Sequence, residues 1–258
     1  MTDDNDELHE DVSLRPASNA DADADVSRYI SADVRALYDV YSYRHAAAIL
    51  ATSFPEELRE IEEALLNFKI TKAEICMPGG NESEIPKKIS RTLRPSGWLE
   101  SRIQGDLLVK ELRSTERILE SGKVQKVGLP ETEPKTISRF IDGHKIDYVK
   151  GRVAFDLEWN SKDQTFDRDL YAMRTFHECG LISLGVMVTR SARLNPIFSQ
   201  LPKLDKEGRE TGGSVKDKYG ASTTWMGKLL YRLNAGRHGG CPVLVFGITE
   251  KLIEDLDP

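Results

Sequence analysis

The sequence predicts an α/β fold, a single domain whose central mixed β-sheet is flanked by helices. Two observations carry this. "LISLGVMVT" (181–189) and "CPVLVFGI" (241–248) are apolar almost throughout, as strands buried on both faces are. The order helices, hairpin, helix, strand, helix, strand then sets helices on the faces of one sheet.

The elements follow in order. "SYRHAAAILATSF" reads as a helix, and "PEELREIEEALLNF" as a second, opened by proline, with Leu58, Ile61, Leu65 and Phe68 at helical spacing. "MPGGNESE" (77–84) is a loop, a helix follows at 86–94, and "PSGW" ends it. "LVKELRSTERILESG" reads as a helix capped at Gly122. A hairpin is expected over 137–149 and 152–160, then a helix in "FDRDLYAMRTFHECG" that stops at Gly180. "LDKEGRETGGSVKDKYGAS" reads as one long loop, and "TTWMGKLLYRLNAG" as a helix with a threonine cap. "GRHGG" (236–240) is a helix stop and turn. No internal repeat is visible.

Composition divides the chain at residue 35. Residues 1–35 hold ten acids and three arginines, include "DADADVS", and read as a disordered acidic tail. The overall net charge of −6 is therefore misleading, because 36–258 carries about +1. Within it, residues 190–237 hold ten Lys and Arg against four acids, a local basic surface that suits a phosphate backbone. Three dispersed cysteines and five histidines without ligand spacing argue against disulfides and zinc and for a reduced, cytoplasmic protein. No apolar run is long enough to span a membrane, and the N-terminus lacks the apolar region of a signal peptide.

The chemistry concentrates in "DYVKGRVAFDLEWNSKD" (147–163). Strand side chains alternate faces, so Val153, Phe155, Leu157 and Trp159 share one face and Ala154, Asp156, Glu158 and Asn160 the other. Asp147 on the preceding strand is within reach of that second face. Carboxylates clustered in a buried sheet without basic partners are costly, and a divalent cation relieves the cost. Oxygen ligands alone suit Mg²⁺. A solvent-exposed polar face would look similar in sequence, but the apolar strands on either side place this hairpin centrally.

These residues resemble the PD-(D/E)XK nuclease core, with an Asp on one strand and Glu-x-Lys on the next. "YSYRHAAAIL", "SGW", "KIDYVKGRVAFDLEWNSKD" and "GVMVTRS", in that order over most of 38–250, more narrowly resemble the BglII-type family of type II restriction endonucleases. The resemblance implies an enzyme, a type II site-specific deoxyribonuclease, with 36–258 as the nuclease domain and Mg²⁺ as cofactor. Asp147 and Glu158 would be metal ligands, with the Trp159 carbonyl a third. Asn160 stands where the superfamily has Lys. A neutral amide cannot serve as a general base but can orient a water, and BglII-type enzymes are similar in carrying an amide there. Lys162 could supply the missing charge. A further polar residue is implied near Asn81, Glu82 and Glu84.

For DNA contact the reading selects Arg190, Ser191 and Arg193 after a core strand, and Ser222, Thr223 and Thr224 after the basic loop, since hydroxyls and helix N-termini bind phosphates. The partner is double-stranded DNA, and a homodimer would match a palindromic site. A DNA-binding module with an inactive nuclease core is the alternative that Asn160 motivates. An unrelated metal-dependent α/β phosphoesterase is the third.

Overall fold

Val153 to Glu158 is buried at every position, so this strand runs through the interior of a sheet. The computed structural model describes residues 19–78, 84–220 and 222–256. Helices α1 (Asp23–Tyr29) and α2 (Ala32–Leu37) lead into strand β1 (Tyr38–Tyr43). Helices α3 (Ala46–Ser53), α4 (Pro55–Asn67), α5 (Lys72–Cys76) and α6 (Glu84–Leu93) follow. Then come β2 (Leu99–Val109), β3 (Ser114–Ile118), β4 (Val124–Gly128), β5 (Lys135–Lys150) and β6 (Val153–Glu158). The last stretch holds α7 (Thr165–Glu178), β7 (Leu184–Arg190), α8 (Leu194–Gln200), β8 (Pro202–Leu204), β9 (Glu210–Ser214), α9 (Met226–Asn234) and β10 (Val243–Ile248).

The central sheet has six strands in the order β1-β10-β7-β6-β5-β2. β10, β7 and β6 are parallel, while β1 and β5 run antiparallel to their neighbours. The mixed sheet with flanking helices is the one expected. Phe155, Leu157 and Trp159 join one apolar cluster with Ile61 and Leu65 of α4 and Ile89 and Leu93 of α6. On the other face lies α7. Ala154 pairs with Gly185, where an added Cβ would lie 2.3 Å from Met173 Sδ. Glycine at 185 thus lets α7 seat directly on the strand pair that carries Asp156 and Glu158.

The chain divides into two compact units, Met1–Ser101 with His144–Pro258, and Arg102–Gly143. Within the second, Asp142 accepts from Arg102 at 2.8 Å and the Asp106 carboxylate accepts from the Arg139 backbone N–H at 2.8 Å. Its β3–β4 hairpin is exposed at every position.

Several expectations are corrected. Residues 23–37 are not part of a disordered tail. They form α1 and α2, because Val26, Ile30 and Val34 recur at one face and bury against the core. Residues 1–18 of that tail lie outside the described residues. The expected helix over 108–122 is instead the end of β2 and strand β3, with the turn at Gly122 (φ +75°). Leu108, Leu112 and Leu119 have helical spacing, but they are exposed, and an isolated short helix gains little without an apolar face to bury. The segment before the Ala-rich helix is β1, so that helix begins only at Ala46. The long loop contains the β8–β9 hairpin. The last helix opens at Met226 without a side-chain cap, so neither Thr223 nor Thr224 caps it.

Candidate active site

β5 and β6 pair with Tyr148 opposite Phe155 and Val149 opposite Ala154. Strand alternation then sets Asp147 on the same face as Ala154, Asp156 and Glu158. The acids come together on one face of the hairpin, Asp147 exposed at its rim and Asp156 and Glu158 only 3% and 8% exposed. Asp169 joins them from α7, 2% exposed. The sequence did not single out Asp169. Its i, i+4 relation to Met173, which packs on the same face, is the available signal.

Arg168 lies beside this cluster. Its Nη2 is 3.2 Å from Asp169 Oδ1 and 4.0 Å from Glu158 Oε1. That partial compensation leaves the carboxyls strained as anions. Burial, then the charges of Asp169, Asp147 and Glu158, hold the Asp156 carboxyl well above the usual carboxylate range. Burial raises Glu158 as well, with Asp147 adding and a Ser161 hydrogen bond and Arg168 opposing. Asp169 is pushed up to about 8, by burial first and by Glu158 next, against the pull of Arg168.

Three buried side-chain oxygens here have no hydrogen-bond partner among the described residues: Asp156 Oδ1, Asn160 Oδ1 and Asp169 Oδ2. Buried acceptors are ordinarily satisfied. Oxygen donors with unsatisfied lone pairs fit a hard divalent cation and its waters. Among the described residues no group of three or more His, Cys, Asp or Glu side chains is arranged to hold a metal. A site for such an ion here would rest on fewer protein carboxylates plus water and phosphate, as is usual for Mg²⁺.

The β6–β7 ladder ends at Glu158 opposite Thr189. Side chains from β7 then take over the backbone. Thr189 Oγ1 donates to the Glu158 carbonyl at 2.8 Å, and Arg190 Nε to the Trp159 carbonyl at 2.8 Å. The Trp159 carbonyl, expected as a metal ligand, therefore has one lone pair already engaged by a guanidinium. Lys162 is exposed, and its backbone forms an isolated bridge with Thr223. Arg168 is the cation beside Glu158 instead.

The residues expected to meet DNA fall into two groups. Ser222 is exposed and Thr223 half-buried, and Arg193 is half exposed, paired with Asp39 at 3.2 Å and Glu250 at 3.8 Å. Arg190, Ser191 and Thr224 are buried. Ser191 Oγ donates to Asp39, and Thr224 Oγ1 accepts from the Ser161 backbone at 3.1 Å. Their polar atoms bond within the fold, where the sequence leads one to expect contact with DNA. Glu84 pairs on the surface of α6 with Lys87 at 2.9 Å and Arg91 at 2.8 Å. Asn81 and Glu82 lie outside the described residues.

No helix among the described residues is long and apolar enough to cross a membrane. A comparison with curated proteins finds no match. A family model described as restriction endonuclease BglII/BglIII matches residues 38–248. That span runs from the first residue of β1 to the last of β10 and so takes in every strand of the central sheet. With the carboxylate cluster at its centre, the chain belongs to the BglII/BglIII restriction-endonuclease family, nucleases that act on DNA.

Proposed function

We propose that the protein is a type II restriction endonuclease that hydrolyses phosphodiester bonds in double-stranded DNA at a short palindromic sequence, with Mg²⁺ as cofactor and as a homodimer. One observation carries the reading. Asp147 and Glu158 share one face of the β5–β6 hairpin, next to an Asn160 whose buried Oδ1 has no partner.

Asp147 and Glu158 would hold the metal with their carboxylates, and the free lone pair of the Trp159 carbonyl is available beside them. The cation, when bound, polarises the scissile phosphate and lowers the pKa of a bound water. Asn160 orients the attacking water through its Oδ1, a hydrogen-bond role open to a neutral amide. Arg168 holds Glu158 from the α7 side and offsets part of the negative charge that would repel a phosphate. Ser222, at the exposed end of the basic segment, takes a backbone phosphate, and Arg193 lies just past the end of the neighbouring strand. Two such chains about a two-fold axis would cut both strands of a palindrome.

The test is cleavage of unmethylated plasmid DNA by the full chain, with Mg²⁺ and with EDTA, beside Glu158→Ala. Discrete fragments that need Mg²⁺ and vanish in the variant are expected. A smear would remove sequence specificity. Binding without cleavage across varied DNAs would replace the reading with an inactive-core binding module.

A further inference from the structure

Arg190 ends β7 at 1% exposure. A buried guanidinium is costly unless its donors are met. Here carbonyls and a hydroxyl meet them. Nε donates to the Trp159 carbonyl at 2.8 Å and the Thr224 carbonyl at 3.1 Å. Nη2 donates to the Thr224 carbonyl at 2.7 Å and to Thr223 Oγ1 at 2.6 Å. Tyr219, Phe198 and Trp159 surround its charge, with ring centroids 4.8, 5.4 and 6.0 Å from Cζ.

These bonds join two segments that are distant in sequence, the end of the catalytic strand and the stretch from Val215 to Trp225. The same two are laced by backbone bonds. Thr224 N–H donates to the Ser161 carbonyl at 2.9 Å, and Asp163 N–H to the Ser222 carbonyl at 3.0 Å. Trp159 Nε1 donates to Tyr219 Oη at 3.2 Å. Lys218 Nζ donates to the Met77 carbonyl at 2.6 Å, which ties the stretch to the end of α5. Asn160, between Trp159 and Ser161, is held only as firmly as those neighbours. Ser222, by contrast, is exposed two residues from the Thr224 carbonyl that Arg190 grips.

We propose that Arg190 is a positioning residue that couples the seating of the Ser222–Thr224 segment on a DNA phosphate to the backbone of Trp159 and Asn160. This rests on the endonuclease reading above. Phosphate contact at Ser222 fixes the segment, which the Thr223 hydroxyl braces from within by donating to the Gly220 carbonyl at 2.7 Å. Arg190 transmits that order to the strand end, and the catalytic amide is aligned only on bound DNA. A buried cation is retained at this junction because its fan of donors can hold two carbonyls and a hydroxyl at once, which an apolar side chain or a lysine cannot.

The test uses the full chain and the variants Arg190→Met, Arg190→Lys and Thr223→Val. Three quantities are read: duplex binding without metal, the single-turnover cleavage rate with Mg²⁺, and backbone hydrogen exchange in peptides covering 157–163 with and without DNA. Expected for Arg190→Met is duplex affinity within about 3-fold of wild type and cleavage slowed about 100-fold, the cost of misplacing a reacting group by roughly 1 Å. Arg190→Lys should recover part of that rate. DNA should slow exchange over 157–163 in the wild type and not in Arg190→Met. Thr223→Val should slow cleavage too, and the double variant should be no slower than Arg190→Met alone, because both act on one connection. Equal losses of binding and cleavage in step with the folded fraction, or independent multiplying losses in the double variant, would overturn the coupling. If the wild type binds DNA without cleaving it, the endonuclease reading fails by itself. The exchange measurement then still decides the coupling, since DNA-dependent protection at 157–163 that survives Arg190→Met would end it.

Discussion

Arg168 on α7 reaches Glu158 on β6 at 4.0 Å, which sets a partly exposed guanidinium against the most constrained carboxylate of the proposed metal pair. The helix that covers the active face thus also supplies partial charge relief from that side. Stability and activity are set against each other here, because the cluster that would hold a cation is self-repelling without one.

Glu158→Gln should abolish cleavage and raise the unfolding temperature of the metal-free protein. At pH 8 the change should be about 1 kcal/mol, roughly 2–4 °C for a chain of this size. Mg²⁺ should raise the unfolding temperature of the wild type by mass action and leave Glu158→Gln unmoved. Calorimetry with and without Mg²⁺ checks both. A variant that melts lower without metal would show that Glu158 is held by its partners rather than strained.

Arg168→Met should act in the opposite sense. It leaves the acids with less compensation, and since its side chain is 52% exposed the loss should be only about 1 kcal/mol. Urea unfolding at low salt measures it. The difference should shrink when Mg²⁺ is added, because the cation then supplies the missing charge.

A further buried acid should give a pH signature of its own, apart from the carboxylate cluster. Glu60 accepts from Trp98 Nε1 at 2.8 Å and from Lys150 Nζ at 2.7 Å. Burial alone would raise its carboxyl, but these two donors and the charges of Lys150 and Arg59 hold it below the usual range. A carboxyl lowered in the folded state contributes stability above its unfolded pKa, and that contribution is lost as pH falls through the folded value. Glu60→Gln should therefore cost about 2 kcal/mol near neutral pH, the scale of hydrogen bonds to a charged group. The gap from wild type should close below about pH 4, near the unfolded value for Glu. Denaturant midpoints from pH 3 to 7 test this, and a constant gap would exclude it.

Within 102–143, Gly143 approaches the Ile103 carbonyl so closely that an added Cβ would lie 2.4 Å from the oxygen. A backbone atom cannot swing aside as a side-chain end can. Gly143→Ala should therefore open the local pairing of β2 and β5, with amide exchange around Ile103 and Gly143 accelerated at least 10-fold, equivalent to about 1.4 kcal/mol. The β3–β4 hairpin, joined through its own ladder from Ser114↔Gly128 to Ile118↔Val124, should keep its protection.

Much of the fold was legible because burial leaves a period in the chain. Uniformly apolar runs marked β7 and β10, and 3.6-residue spacing marked α4. The segment over 108–122 was misread because its leucines and isoleucine never meet a core, so their spacing recorded no helix face. Helices α1 and α2 were hidden by the average acidity of residues 1–35, although Val26, Ile30 and Val34 are spaced to bury one stripe. Arg190 was selected for DNA contact because it follows a core strand. Nothing local announces the aromatic cage that encloses it.

What the sequence alone determined was the alternation within 147–150 and 153–158, hence which acids of the hairpin share a face. That follows from the two-residue period of an extended chain, which is local geometry. Which helix covers that face, that Asp169 and Arg168 complete the cluster, and that Arg190 turns inward to hold Trp159 and Thr224 were decided only in the folded chain. These depend on contacts between segments far apart in sequence, such as Met173 against Gly185 and Thr224 against Ser161. Packing selects among such contacts by shape and hydrogen-bond satisfaction, and neither is written in the period of one segment.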